Sequence, residues 1–558
     1  MGRDSAWWKE AVVYQIYPRS FYNSDADGIG DLRGIREKVD YLDELGVDVV
    51  WLNPVYDSPL VDGGYDVREY RSIHPDYGAM DDWEALRDEL HERGIRLIMD
   101  MVTNHTSDEH EWFRKSRRGE DPYRKYYWWA GGDPDSPPNN WESFFGGPAW
   151  SYDERREAWY LHLFDQKQPD LNWRNPAVRE DIFEMLRWWL EKDCDGFRFD
   201  VINLISKPSA LPDGDPDSTP RGREYFIDGP RVHEYVREMY DRVLSEYDIM
   251  TVGETSHITV EEARRFYEDG LDMVFTFQHL HIDRGDTGPW DFDDWDLDEL
   301  RDATAAWQRG VSEQSWNSLF LGNHDQPRMV SRFGDEGRYR VESAKMLATY
   351  LFTLRGTPFV YQGDELGMTN PTFERLDEYR DEETIQQVML ALRSGGVSTF
   401  DQIREAVDFW SRDNARTPIP WSDERNAGFT DGEPWIKVCE NYPEVNVERE
   451  RDDEDSVLQY YRRLIDLRHS TPVMVYGRYA QLLDDHPEIY AYLRTPTDGS
   501  RSLLVVLNFF DGEPTFRLPN DVSYDRWEKL IGNYESASRD SIREFDLRPY
   551  EALVYALE

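Results

Sequence analysis

Arg198 and Asp200 stand two residues apart in the apolar run Gly196-Phe197-Arg198-Phe199-Asp200-Val201-Ile202-Asn203. Side chains two apart on a strand share a face. Guanidinium and carboxylate therefore point the same way, with Phe197 and Phe199 on the other side. A carboxylate beside a fixed cation stays ionised, and an ionised, positioned carboxylate suits a nucleophile for covalent catalysis. Taken alone, the stretch serves equally well as a structural Arg–Asp pair in a sheet. Other apolar runs end in the same kind of residue: Asp100-Met101-Val102-Thr103-Asn104-His105, Val252-Gly253-Glu254, Gly322-Asn323-His324-Asp325, and Gln362-Gly363-Asp364-Glu365. Three carboxylates with two histidines and one arginine suit glycoside hydrolysis, which uses a carboxylate nucleophile and a carboxylic acid that protonates the leaving oxygen. Asp200 fits the nucleophile. Glu254 fits the acid, if burial and a neighbouring negative charge raise its pKa. Asp325 fits a clamp on sugar hydroxyls that favours the oxocarbenium-like state. A metal hydrolase using His105, His324 and the aspartates competes less well, because no His-x-His or Glu-x-x-His pair occurs at these ends.

These residues need a scaffold that gathers strand ends. Strand-like runs at Val12–Tyr17, Val49–Leu52, Ile95–Val102, Gly196–Val201, Ile249–Gly253, Met273–Phe277, Ser318–Leu321 and Pro358–Tyr361 alternate with helix-like runs. The helical stretches are Ile35–Leu45, Asp82–Glu92, Ala177–Glu191, Arg231–Glu246, Val260–Tyr267, Asp298–Arg309 and Val341–Leu354. Strands alternating with helices predict a parallel sheet. Eight such units in one run point to an α/β fold, a closed (β/α)₈ TIM barrel, whose working residues lie where strands end. The alternation breaks between His105 and about Asn175, a stretch rich in Gly, Pro, Asp and aromatics that is too long for a plain loop. After Gly367 the sequence is mixed and charged to about Asp455, followed by a helix over Val457–Arg468. From Val473 short alternating runs punctuated by Pro496-Thr497-Asp498-Gly499 and Phe510-Asp511-Gly512 predict an antiparallel β-sandwich. The expected organisation is a barrel over 1–104 and 175–472, an inserted subdomain over 105–174 after the third strand, and a C-terminal β domain over 473–558.

The formal charge is −48, from 112 acidic against 64 basic residues, which disfavours nucleic acid as a partner. Aromatic content of 14% argues against disorder as the meaning of that charge. The acidic residues fall on helix faces and Lys is scarce beside Arg, a pattern that resembles proteins of salt-in halophiles. Such a surface is screened only at high ionic strength. Cys194 and Cys439 make no disulfide framework and no metal-type Cys/His cluster. Met1–Glu10 carries no apolar targeting segment, and no run approaches a membrane span. The default compartment is the cytoplasm. The run Asn23-x-Asp25-x-Asp27-Gly28-Ile29-Gly30-Asp31 sets oxygen ligands at alternate positions around a glycine turn. It matches the first half of an EF-hand loop, suited to Ca²⁺ or Mg²⁺, although position twelve is Gly34 rather than Glu. An Asp/Gly-rich surface turn gives the same pattern.

Together these motifs identify a resemblance. With Gln15-Ile16-Tyr17-Pro18-Arg19-Ser20-Phe21, Gln168-Pro169-Asp170-Leu171-Asn172, Asn323-His324-Asp325-Gln326-Pro327-Arg328 and Gly356-Thr357-Pro358 added, the chain resembles the α-amylase superfamily over essentially its whole length. It is most similar to the α-glucosidase and oligo-1,6-glucosidase branch. The resemblance implies a retaining mechanism with Asp200 as nucleophile, Glu254 as general acid/base and Asp325 as transition-state stabiliser. It implies a pocket for the terminal glucose from Asp62, Tyr65, His105, Arg198, His324 and Arg412, with Phe164 and Gln168 nearby. An Asp62–Arg412 pair would close the pocket and make the enzyme exo-acting on short oligosaccharides. Arg412 is preferred to Arg416, and Phe164 serves equally well as core packing. Related α-glucosidases carry the Asn23, Asp25, Asp27, Ile29, Asp31 loop as a structural metal site, and no organic cofactor is implied. Val201 resembles the α-1,6-cleaving branch, whereas Thr255-Ser256-His257-Ile258 departs from its pattern, so α-1,4 and α-1,6 cleavage both stay open. A sucrose isomerase or transglucosylase on the same fold is the nearest alternative. Arg328-Met329-Val330-Ser331-Arg332 lacks the arginine-rich loop of isomerases and favours hydrolysis. A non-catalytic sugar-binding relative is more remote, since all three carboxylates are kept.

Overall fold

The structure is a computed structural model that describes residues 6–285, 290–311, 315–496, 501–535 and 539–558. Eight parallel strands form the central sheet: β1 (Val13–Ile16), β2 (Val49–Leu52), β3 (Arg96–Val102), β4 (Gly196–Asp200), β5 (Met250–Glu254), β6 (Met273–Phe275), β7 (Ser318–Leu319) and β8 (Thr357–Tyr361). Their order is β6-β5-β4-β3-β2-β1-β8-β7. The seam between β6 and β7 is bridged by Ser318 Oγ, which donates to the Val274 carbonyl at 2.8 Å. This is the expected barrel. Nearly all strand residues are buried, as required when helices cover the outside and side chains fill the inside.

Local sequence explains the helix limits. Asn175 caps the helix Pro176–Leu190 by accepting from Ala177 N, with Pro at the first turn. Thr259 and Glu262 form a reciprocal capping box for Val260–Glu268. The predicted helix over Ile35–Leu45 is two helices, Leu32–Glu37 and Val39–Leu45, broken at Lys38 and ended by Gly46 at φ 89°. The charged stretch after Gly367 folds into helices Glu382–Ser394, Arg404–Trp410 and Val447–Asp452. Their short apolar stripes did not stand out among so many charges.

The stretch between β3 and β4 carries a three-stranded antiparallel sheet of Trp129–Ala130, Trp150–Asp153 and Ala158–Leu161. At the C-terminal end a five-stranded antiparallel sheet packs on the pair Thr515–Arg517 and Glu544–Asp546, and the two sheets share one apolar core. Of the predicted turns there, Thr497, Asp498 and Gly499 lie outside the described residues. The helix Arg340–Thr353 is buried all round between barrel and C-terminal sheet. It is tied there by Thr353 Oγ1 to Tyr492 Oη at 2.6 Å.

Candidate active site

Strand register places the first site residues. Asp100 of β3 sits beside Arg198 of β4, and Val102 beside Asp200. Arg198 also sits beside Val252 of β5, so two further steps bring Glu254 level with Asp200. The backbones of β4 and β5 approach closely at Gly196, φ 150°, where a Cβ would stand 1.9 Å from the Met250 carbonyl oxygen. Only glycine fits there.

Arg198 is 1% exposed and serves three carboxylates at once. Its Nη1 donates to Asp100 Oδ1 at 2.8 Å and to Asp200 Oδ1 at 2.7 Å, and its Nη2 donates to Glu254 Oε2 at 2.5 Å. The expected Arg198–Asp200 contact is therefore one of three. One cation cannot neutralise three buried anions, so the cluster retains proton affinity. Burial raises Asp200 above the ordinary carboxylate range, with Arg198 opposing and Glu254 and Asp100 adding to it. Burial likewise raises Asp100 to about 6, against Arg198.

Val201 follows the nucleophile candidate in the left-handed region, at φ 36°. That conformation is strained for a β-branched residue. It lets Val201 N donate to Glu254 Oε2 at 3.1 Å, so the turn that ends β4 also fixes the carboxylate of β5.

A second network organises His324. Gln15 Nε2 lies 2.8 Å from His324 Nδ1, and an amide NH₂ can only donate. Burial pushes His324 down to about 3, so the ring is neutral with its proton on Nε2. That proton faces Tyr65 Oη at 2.7 Å and Asp325 Oδ2 at 3.2 Å. Tyr65 Oη accepts from Asn53 Nδ2 at 2.8 Å and donates to Asp100 Oδ2 at 2.8 Å, so the two networks meet at Asp100. Tyr65 and His324 are stacked, with centroids 5.4 Å apart.

Asp325 accepts from Arg416 Nη2 at 2.7 Å and lies 3.5 Å from Arg412 Nη1. Burial opposes its ionisation, but the nearby cationic groups outweigh it and hold Asp325 well below the usual carboxylate range. The two arginines carry that effect, since His324 is neutral. Arg412 Nη2 also donates to Asp62 Oδ1 at 2.9 Å and Asp381 Oδ1 at 2.6 Å. Gln168 Nε2 donates to Asp62 Oδ2 at 3.0 Å and lies 3.3 Å from His105 Nε2. Burial lowers His105 to about 4, which keeps it neutral. Phe164 sits 5.0 Å from the His105 ring and stacks on Phe144 at 5.4 Å. Both phenylalanines line a cavity of about 290 Å³ that also reaches Glu254, Asp325 and Arg412.

All eleven candidate catalytic and sugar-binding residues thus converge on one end of the barrel. Arg412 makes the Asp62 contact, as preferred, yet Arg416 also enters the site by holding Asp325. Asp381, buried between Arg412 and Arg416, was not anticipated. Neither were Gln15 and Asn53 as partners of the His324–Tyr65 pair. Gln15 lay inside a quoted motif, which offered a signal. Asp381 lay in a stretch with no readable pattern.

The loop from Asn23 to Asp31 lies apart from this site. Asp25 Oδ1, Asp27 Oδ1, the Ile29 carbonyl and Asp31 Oδ2 all face Asn23 Nδ2, at 3.1, 3.0, 2.6 and 3.5 Å. Among the described residues no group of three or more His, Cys, Asp or Glu side chains is arranged to hold a metal ion. The Asn23 amide fills the point on which the oxygens converge.

The cluster around Arg198 makes a pH prediction. Burial raises Asp100 to about 6, so kcat/KM is expected to fall as pH drops through about 6 and the cluster takes up a proton. Asp100→Asn removes one anion and leaves Arg198 to Asp200 and Glu254. Its acidic limb is expected to move down by about one pH unit. The inflection of the pH–rate profile checks this, and an unmoved limb would exclude Asp100 from the titrating cluster.

Comparison with known proteins adds an independent line. The family model for the alpha-amylase catalytic domain matches residues 15–477. An oligo-1,6-glucosidase of Parageobacillus thermoglucosidasius is 52% identical, covering 99% of each chain. A trehalose-6-phosphate hydrolase of Bacillus subtilis is 46% identical over 99% of this chain and 98% of its own. Among solved structures, an isomaltulose synthase from Klebsiella sp. LX3 superposes with a TM-score of 0.96 at 44% identity, covering 99% of this chain and 100% of that one.

Proposed function

The chain belongs to the alpha-amylase family, and on that premise we propose that it is an exo-acting, retaining α-glucosidase. It releases glucose from the non-reducing end of short α-glucosides, at α-1,6 bonds, α-1,4 bonds or both. One observation carries this reading: a single guanidinium, Arg198, touches both Asp200 and Glu254. Retaining glycosidases need their two carboxyl groups about 5–5.5 Å apart, whereas inverting ones leave room for a water at about 6.5–9.5 Å. Two carboxylates gripped by one guanidinium favour the shorter spacing.

In this mechanism Asp200 attacks the anomeric carbon while Glu254 gives its proton to the departing glycosidic oxygen. Water, deprotonated by Glu254, then displaces Asp200 from the same face, restoring the α-configuration. Asp325 stays ionised beside its arginines and stabilises the positive charge that develops on the sugar ring. The Asp62–Arg412 ion pair closes the far end of the glucose site, so only a terminal glucose enters. Side chains of the inserted sheet region, Phe144 and Phe164, and of the helix Glu382–Ser394, Glu383 and Gln387, wall the opening.

Val201 and His257 both border the cavity where the leaving sugar lies. Valine offers an apolar wall and histidine a polar one, so both linkages remain within the reading. The ratio of kcat/KM on maltose and isomaltose measures the preference. Proton NMR of the first-formed glucose tests the mechanism: α-glucose is expected, and β-glucose would overturn retention.

A sucrose isomerase is the second reading, favoured by the close superposition on the Klebsiella enzyme. Arg328 and Arg332 argue against it. Arg328 is tied to the Gln362 and Ala415 carbonyls, and Arg332 to Asp283. Incubation with sucrose separates the two readings, since an isomerase keeps a disaccharide as its main product.

Loop residues Asn23, Asp25, Asp27, Ile29 and Asp31 would supply the oxygens for a hard cation such as Ca²⁺ or Mg²⁺, at the point now filled by Asn23 Nδ2. Its contribution would be structural, linking this loop to Thr430, whose Oγ1 donates to Asn23 Oδ1 at 2.6 Å. The net charge of −48 supports a halophilic protein. Thermal melts across KCl concentrations, each with and without CaCl₂, address both points. The melting temperature is expected to rise with KCl, and to rise further by a few degrees with millimolar calcium. Flat curves on either axis would remove that part of the reading. A cytoplasmic setting fits the two buried free thiols, Cys194 and Cys439.

A further inference from the structure

The cavity that reaches Glu254 and Asp325 is also lined by His257, His281 and Arg284. The side chains that would grip the terminal glucose, Asp62, Tyr65 and His105, do not line it. The cavity beyond Glu254 is therefore the space for the group leaving with the glycosidic oxygen. Its charge is unusual for this chain. In a protein of net charge −48, the outer cavity presents a cation.

The arginines around the cavity differ in how they are paired. Arg412 is held by Asp62 and Asp381. Arg332, just behind the wall, is neutralised by Asp283 at 2.6 Å. Among the described residues no carboxylate is paired with Arg284, and Glu383 and Asp283 act on it only through their charge. Its guanidinium instead lies over Trp410, with Cζ 3.7 Å from the ring centroid, and Arg332 stands over the same ring at 4.7 Å. The stacking fixes the direction of the fork while leaving its N–H edge available. Arg284 is exposed, and the lowering to about 10 by the wall around it and by Arg332 leaves it a cation at neutral pH. His257 and His281 stand beside it, their rings 5.4 Å apart, and both are exposed toward the cavity. They add hydrogen-bond donors without adding negative charge. Glu383, another lining carboxylate, is turned to Arg412 at 3.3 Å, and burial raises it to about 7 against that cation. A positioned guanidinium with no carboxylate partner among the described residues, flanked by donors, suits a phosphate or a carboxylate.

We propose that Arg284, with His257 and His281, binds an anionic group on the leaving portion of the substrate. The preferred donors would then be α-glucosides whose released alcohol carries a phosphate or a carboxylate. This rests on the α-glucosidase reading above and names the substrate class within it. The chemical steps are unchanged: the glycosidic C–O bond breaks, Glu254 supplies the proton, and the anionic alcohol departs.

The test compares kcat/KM on two matched pairs at fixed ionic strength, because salt screens such contacts. One pair is isomaltose and its aldonate, with the reducing end oxidised to a carboxylate. The other is trehalose and trehalose 6-phosphate. At least one charged member is expected to exceed its neutral partner by about tenfold or more, which corresponds to one charge-assisted hydrogen bond. The pair that responds identifies the anion. Arg284→Gln is expected to bring that ratio to about one, and Arg284→Lys to keep most of it. Each ratio is internal to one variant, so a change in folded fraction cancels. Ratios at or below one in the wild type, or a preference that survives Arg284→Gln, would overturn the proposal. Turnover of isomaltose without a charge preference would sink this inference alone. No turnover of any α-glucoside would sink the reading on which it rests.

Discussion

Asp200→Asn is expected to lower kcat on isomaltose or maltose by at least about 10⁴-fold, since removal of a covalent nucleophile forfeits both chemical steps. The fold should survive. Asparagine keeps the shape, and Arg198 retains Asp100 and Glu254 as partners. Circular dichroism and an unchanged or raised melting temperature are therefore expected beside the lost activity. A shorter side chain gives the sharper form of the test. Asp200→Ala opens the face from which the carboxylate attacks, and azide added to an activated aryl α-glucoside is expected to attack there instead. The product would be β-glucosyl azide, with the aryl alcohol released and Glu254 needed for no proton. A merely structural role for Asp200 predicts neither the rescue nor the inverted product. Near-wild-type rates in Asp200→Asn would remove it as nucleophile.

Arg198→Met is expected to damage both catalysis and stability. The side chain is fully enclosed, and its guanidinium is the cation in contact with Asp100, Asp200 and Glu254. Removing one partner of a buried ionic group typically costs about 3–5 kcal/mol, because the charges left behind are uncompensated. The site can relieve part of that cost by taking up protons, since burial already raises Asp100 and Asp200. The sign is clear. A carboxylate raised in the folded state favours folding below its unfolded value and loses that contribution as pH rises through the folded value. The variant should therefore be least stable relative to wild type at neutral and alkaline pH, and recover as pH falls toward about 5. Its kcat is expected to fall by about 10³-fold or more at pH 7, because Asp200 is no longer held ionised. Melting curves at pH 5 and pH 8, with kcat at pH 7, check both parts. A stability loss independent of pH would mean that packing, rather than charge, is what Arg198 supplies.

The barrel was legible because its signals are local and repeated. Each strand is a short apolar run, most followed by a capped helix, and eight of them leave few other ways to bury so much surface. The limits that moved did so where a local feature intervened. β4 stops at Asp200 rather than Val201, because Val201 turns left-handed to aim its N–H at Glu254. The helices after Gly367 were missed because dense charge hid their apolar stripes, although Glu382–Ser394 supplies Glu383 and Gln387 to the cavity wall.

The sequence by itself determined which residues stand at strand ends, and hence that Asp200, Glu254 and Asp325 could meet. Alternation and spacing are properties of the chain's local geometry, and strand ends in a barrel must converge. Only the tertiary structure decided how charge is shared there. Arg198 belongs to three carboxylates, Asp325 to two arginines, and Asp381 holds both of those arginines from a separate loop. Arg284 lines the cavity with no carboxylate partner among the described residues. Such pairings depend on distances between segments far apart in the chain, and electrostatic energy depends on those distances and on burial. No spacing along the sequence encodes them.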